Sequence, residues 1–246
     1  MLAPTKESIL TTVFAISALL LWISVSTLLP DLSWDHMNLI WSAIIATVLF
    51  LVMCGLLAIL VDSTRLLVIG WALASYISVI WYRDYFFIGI ATLFFCAGLF
   101  GIWRAKYLMK RTLDGGIIWV LRACLPITAT FLAATIAVAA FIVAPQQSLE
   151  IEALVPRWLF DTVFDQKMGD MVHAIGINIM RDQSARFQGI FPIAYAVGFF
   201  IVLRIFGSLL CWVAIMIASL TLRILRRCGI IGIRTIQANV FTYSFF

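Results

Sequence analysis

Long, unbroken apolar runs separated by short polar stretches dominate this chain, with little of the alternation that marks a half-buried strand. Six runs stand out: residues 9–29, 37–61, 66–82, 85–103, 123–144 and 189–222. The first five hold no Asp, Glu, Lys, Arg or His, and the sixth is interrupted by Arg204 alone. A bilayer core ~30 Å thick is crossed by about 20 helical residues. A membrane β-strand would instead alternate apolar and polar positions over about 10 residues. The pattern therefore predicts an all-α, polytopic integral membrane bundle of about six transmembrane helices, forming one membrane domain over residues 1–246. A segment at 145–188 is expected on the outer side and a tail at 223–246 on the cytoplasmic side.

Two elements carry alternatives. Runs 66–82 and 85–103 are short and joined only by Arg83 and Asp84, so a tight hairpin that does not fully cross would leave four spans. Lys6, an apolar run and the small residues Ser24 and Ser26 resemble a signal peptide in outline. The run is long for that purpose, and an uncleaved first helix is expected.

Composition strengthens the membrane reading. Hydrophobic residues make up 64% of the chain and charged residues 12%, against roughly 45–50% and about 25% in soluble domains. The cysteines Cys54, Cys96, Cys124, Cys211 and Cys228 form no CxxC pair and have no histidine near them, so neither a disulfide framework nor a zinc pattern is present. The formal charge of +5 does not point to nucleic acid, because the basic residues cluster at the ends of apolar runs. With the N-terminus inside, Lys6, Arg65, Arg104, Lys106, Lys110, Arg111, Arg223, Arg226, Arg227 and Arg234 fall on the cytoplasmic side, as the positive-inside rule asks. Arg83, Arg157, Lys167, Arg181 and Arg186 fall outside, with most of the acids. Both termini are thus expected in the cytoplasm, and the plasma membrane is the expected location. Trp34, Trp41, Trp81, Tyr82 and Tyr85 mark the outer boundary and Trp103, Tyr107 and Trp119 the inner one, since these rings prefer the headgroup region.

Arg204 is the leading candidate functional residue. The run that holds it would form a helix of ~50 Å, well beyond the hydrocarbon thickness. If Arg223 marks the inner boundary, residues 205–222 span and Arg204 snorkels to the outer headgroups. Residues 190–203 would then lie outside the bilayer and need a protein partner, for which 145–188 is the candidate. If the helix enters near Ile190, Arg204 lies deep and marks an anion path or an inter-subunit pairing. The snorkelling geometry is expected. Arg122 reads as an inner-interface anchor. The basic loop with Arg104, Lys106, Lys110 and Arg111, and the tail residues Arg223, Arg226 and Arg227, read as lipid or interface anchors. The tail after Cys228 remains apolar and is expected along the inner interface.

Within 145–188, Phe160, Phe164, Met168, Met171, Ile175 and Ile179 make an apolar stripe on a helix starting near Pro156, weakened by Gly169 and Gly176. It is expected to lie against the membrane surface or the bundle. Asp161, Asp165, Asp170 and His173 spread around that helix instead of converging, so no metal site is expected there. Small residues at four-residue spacing suggest packing seams at Gly70, Ala74 and Ser78, at Ala97 and Gly101, at Ala129, Ala133 and Ala137, and at Ala194 and Gly198.

No Walker motif, GxSxG elbow, HExxH or dinucleotide fingerprint occurs, and the spans lack the acids and histidines that intramembrane proteases and most proton-coupled transporters use. No catalytic, cofactor or metal residue is assigned, and no cofactor or nucleic acid is expected. The leading expectation is a non-enzymatic subunit with a structural, assembly or interaction role, meeting the lipid bilayer and protein partners through 145–188 and the last helix, its oligomeric state open. One alternative is a transporter or channel for a small solute or anion, with Arg204, Ser17, Ser42, Thr47, Ser75, Ser78 and Thr92 lining the path. The other is an interfacial lipid-modifying enzyme using Asp31, Asp35, Asp161 and Asp165.

Overall fold

A backbone in hydrocarbon must satisfy its own hydrogen bonds, which each apolar run does here by coiling. The computed structural model describes residues 4–30, 37–111, 117–143, 175, 178 and 191–228. The helices are α1 (Pro4–Leu28), α2 (Met37–Leu60), α3 (Thr64–Tyr76, continued by a 3-10 turn Ile77–Ile80), α4 (Tyr85–Arg111), α5 (Ile117–Val143) and α6 (Phe191–Arg227). All but α3 are long and apolar enough to cross a membrane. Among the described residues the protein is thus an all-helical bundle with five such helices and one shorter apolar helix, the shorter one being the run 66–82, for which the sequence leaves the alternative of not fully crossing. The α3 stretch covers Thr64–Ile80, and the steeper rise of its terminal 3-10 turn brings it to roughly 28 Å. It packs against α1 and α4; the 85–103 run belongs to a helix long enough to cross, unlike the alternative in which neither arm fully does, and of the two only the 66–82 run forms a shorter helix.

Helix ends differ from the apolar runs in a consistent way. The expected basic loop of Arg104, Lys106, Lys110 and Arg111 lies within α4, Arg122 lies within α5, and Arg223, Arg226 and Arg227 lie within the last turns of α6. Charge marks where a helix leaves hydrocarbon, whereas helical hydrogen bonding continues into the headgroup layer because long basic side chains keep their stems on apolar surface and their heads in water. In α6 the last-turn Arg226 and Arg227 also complement the negative end of the helix dipole. The expected outer segment 145–188 lies outside the described residues apart from Ile175 and Asn178, both exposed, and the tail lies outside them beyond Cys228.

The helices close a ring in the order α1, α2, α6, α5, α4, α3, and α2 also reaches α4 and α5 across it. Successive helices run in opposite directions, which gathers Lys6, Arg65, Arg104, Lys106, Arg223, Arg226 and Arg227 at one end, called the basic end below. Trp41, Trp81 and Tyr85 are exposed near the opposite end and Trp103, Tyr107 and Trp119 near the basic end. Tyr82 breaks the belt pattern: it is buried against Phe87, with ring centroids 4.9 Å apart.

An aromatic core ties α1 to α4. Phe14, Phe50, Trp71 and Phe94 each come from a different helix and are fully buried. Phe14 lies 5.4 Å from both Phe50 and Trp71, and Trp71 meets Phe94 edge-on at 5.5 Å, a geometry favoured by the ring quadrupoles. The indole of Trp71 fits only because position 98 is Gly: a Cβ there would sit 2.4–2.7 Å from its ring atoms. Gly70 likewise lets α3 approach Thr11 and Phe14 of α1, and Trp22 donates its indole N–H to the carbonyl of Ala74 at 3.1 Å. The expected seams on α3, α4 and α5 are buried, whereas Ala194 and Gly198 of α6 are exposed. Close contact by α6 uses Cys211, Ala214, Ile215, Ala218 and Leu222 instead, further toward the basic end.

Candidate functional site

Two features stand apart from ordinary helix packing: an apolar crevice in the half of the bundle away from the basic end, and a charged clamp at the basic end.

The crevice arises from the way α2 is enclosed. From Phe50 to Ala58 every α2 residue is buried, but between Met37 and Leu49 only Ala43 and Ala46 are. In that outer part α1, α2, α5 and α6 stand apart around a partly open slot of about 300 Å³. Small side chains, Ala43, Ala129, Ala133 and Gly207, line it together with Val25, Leu51, Ile136, Leu203 and Leu210, and Thr47 is its one hydroxyl. From Ile40 to Leu51 on α2, and from Phe199 to Leu210 on α6, the lining extends ~16 Å along the helix axes.

Arg204 lies beside this slot. Its neighbours Leu203, Phe206 and Gly207 line the space, and Arg204 shares the helical face of Cys211, Ile215, Ala218 and Leu222 by spacings of seven, four, three and four, so it is turned toward the bundle. Its level follows from a contact between the parallel helices α2 and α6. A Cβ on Gly55 would lie 3.7 Å from that of Ala218. Fourteen residues back along each helix, ~21 Å away, stand Trp41 and Arg204. The arginine is therefore level with the aromatic belt and the first turns of α2. Helix α6 then continues above it to Phe191, past the start of α2. Arg204 is partly exposed, and among the described residues it has no ion-pair or hydrogen-bond partner.

Arg122 behaves differently. Its guanidinium stacks 4.4 Å from the ring centre of Trp212 on α6 and 5.5 Å from that of Trp119 one turn back, so this expected lipid anchor also joins α5 to α6 by cation–π attraction. Arg104, Arg223, Arg226 and Arg227 are exposed at the basic end, as anchors would be. Lys110 and Arg111 sit in the final turn of α4.

Lys106 belongs to the clamp, which sequence reasoning missed. Its ammonium donates to the carbonyl of Val61 at 2.7 Å and lies 3.7 Å from Asp62. On the other side of the same turn, buried Glu7 of α1 accepts the backbone N–H of Ser63 at 3.2 Å. The α2–α3 turn is thus held between a cation at the C-terminal, negative end of α2 and an anion at the N-terminal, positive end of α3, each sign matching the helix dipole it faces. The available signal was an isolated acid, Glu7, just ahead of the first apolar run.

The hydroxyls proposed to line a transport path do not converge. Ser17 and Ser78 donate to carbonyls of their own helices and are buried; Ser42 and Thr92 are exposed; Thr47 alone reaches the slot. Among the described residues Ser75 is buried without a partner, as are the Trp71 indole N–H and the Tyr82 hydroxyl. Burial pushes the Tyr82 phenol up to about 12. Cys54, Cys124 and Cys211 are buried on α2, α5 and α6, but among the described residues no three His, Cys, Asp or Glu side chains converge on a point where a metal would fit. Asp31, Asp35, Asp161, Asp165, Asp170 and His173 lie outside the described residues. Comparison with protein-family models, with curated proteins and with solved structures finds no match to this chain.

Proposed function

We propose that this is a non-enzymatic multi-pass membrane protein that serves as an interaction subunit of a membrane assembly, with its basic end in the cytoplasm and the plasma membrane as its location. The observation that carries the proposal is the unequal packing of α6. Half or more of the span window of α2 is buried, 67%, against 17% for α6, although both helices are apolar along their length. Ile201, Val202, Ile205, Leu209, Val213 and Met216 present a broad apolar surface away from the bundle. Lipid covers such a surface within the bilayer. The part of α6 that rises past the start of α2 is different, because Ile193 and Val197 are exposed there, near or beyond the headgroup layer, where apolar side chains call for a protein neighbour. The orientation is supported by Lys6, Arg65, Arg104, Lys106, Arg223, Arg226 and Arg227, gathered at one end.

The test is the mass of the purified protein in lipid nanodiscs, measured by native mass spectrometry. A stoichiometric assembly is expected, either with a second copy or with another chain. Ile193→Asp combined with Val197→Asp should release the monomer while leaving its helical circular dichroism unchanged. A monomeric wild-type protein would sink the reading.

A further inference from the structure

We infer that the crevice between α1, α2, α5 and α6 is a lipid site that takes one acyl chain of an anionic phospholipid, with Arg204 holding the phosphate. The inference stands apart from the proposed subunit role, since a monomer would bind lipid equally well.

Three observations meet at this place. The slot is lined almost wholly by hydrocarbon, and at about 300 Å³ it falls at the lower end of the ~300–1,000 Å³ typical of small-molecule pockets. Its lining follows the helix axes for ~16 Å, the shape of an extended chain and not of a globular solute. Beside the slot, between the lining residues Leu203 and Phe206 along α6, stands Arg204, partly exposed, on the helical face of the buried Cys211 and without a partner among the described residues. A guanidinium offers a planar fork of donors that matches two phosphate oxygens, and at the level of the aromatic belt lipid phosphates are within its reach.

The charge decides between occupants. An apolar helix would fill the slot but leave the guanidinium unmatched. A zwitterionic lipid would supply a phosphate together with a competing ammonium. A lipid whose headgroup carries net negative charge satisfies both halves of the site. The small residues also acquire a purpose: Ala43, Ala129, Ala133 and Gly207 keep the four helices from filling the space with their own side chains.

The experiment uses the full chain in nanodiscs containing either phosphatidylglycerol or phosphatidylcholine, each doped with its own analogue bearing a photoreactive diazirine midway along one acyl chain. Cross-links are mapped by peptide mass spectrometry. Labelling within residues 129–136 and 203–210 is expected at least fivefold above that of the outward face at Val213 and Met216, and several-fold stronger for phosphatidylglycerol. Arg204→Gln should abolish the preference between the two lipids, Arg204→Lys should keep most of it, and 10 mM inorganic phosphate should leave it unchanged, as expected when the bound group is a lipid headgroup. Ala133→Phe should remove labelling of the slot; Ala43→Leu provides a second blocking variant should the first not fold. The inference is overturned if the wild-type slot is labelled no more than the outward face or if the two lipids label equally. It is also overturned if Arg204→Gln leaves the preference intact or if free phosphate competes it away.

Discussion

The two halves of α2 are both apolar enough for a bilayer, the first carrying Asn38, Ser42 and Thr47 and the second no polar side chain, yet they meet opposite surroundings. From Phe50 onward the helix is enclosed by α1, α4, α5 and α6, and its neighbours press close enough that Gly55 has the Leu121 side chain 2.8 Å from where a Cβ would be. Before Phe50 the same helix borders an open slot. Hydrophobicity does not explain the difference, because in a bilayer lipid tails are as apolar as the core and association depends on van der Waals fit and polar contacts. The closed half has fit, in its aromatic cluster and glycine contacts, and it has polar ties in the clamp. The open half has small side chains with nothing opposite them.

The comparison can be broken most directly at Trp71. Trp71→Ala leaves a hole among Phe14, Phe50 and Phe94 and is expected to cost about 3–5 kcal/mol, read as a lowered midpoint of unfolding in mixed micelles. Gly98→Ala pushes a methyl group into a rigid indole and should cost about 1–3 kcal/mol by overpacking, measured in the same way. If either variant unfolds like the wild type, the closed half is looser than its contacts imply.

Lys106→Met should cost about 1–2 kcal/mol through the lost charge-assisted hydrogen bond to Val61. Asp62→Asn should change little, since this ion pair is substantially solvated and such pairs contribute at most about 1 kcal/mol. Hydrogen exchange at Ser63 and its neighbours offers a local readout of the clamp.

Gly207→Ala sharpens the contrast from the open side. Nothing lies within 4 Å of a Cβ at this position, so the substitution should stabilise α6 by up to ~1 kcal/mol through helix propensity, the opposite sign to Gly98→Ala. The smallest effect concerns Tyr82. Its folded pKa is raised from 10.0 to about 12, so the fold favours the protonated phenol. Its contribution is fully present below pH 10 and is lost as pH rises toward 12. Tyr82→Phe removes a buried hydroxyl that has no partner among the described residues, so its unfolding midpoint should lie at or above that of the wild type at neutral pH and exceed it by more at pH 11.

Long apolar runs were enough to place the six described helices to within six residues of their starts, because in hydrocarbon an apolar backbone has no hydrogen-bonded alternative to the helix. Where the runs misled was at charged residues. The starts of α1 and α5 and the ends of α4 and α6 continue past their first Lys, Arg or Glu, since polarity reports the boundary of the hydrocarbon and not the end of the hydrogen-bond ladder. Periodicity alone left Arg204 between two depths. The approach of Gly55 to Ala218, residues far apart in the chain, puts it level with Trp41.

Sequence by itself determined that this protein is a bundle of apolar helices, where each helix lies along the chain, and which short segments carry its charge. Tertiary structure alone decided that Glu7 and Lys106 clamp one turn, that Arg122 reaches Trp212, that α2 is sealed along one half, and that Arg204 overlooks an open slot. The physical reason is that helix formation in an apolar medium is a local requirement, met by the composition of some twenty neighbouring residues. Helix packing depends on how side chains from distant segments fit, and no stretch of sequence records the shape of the surface it will meet.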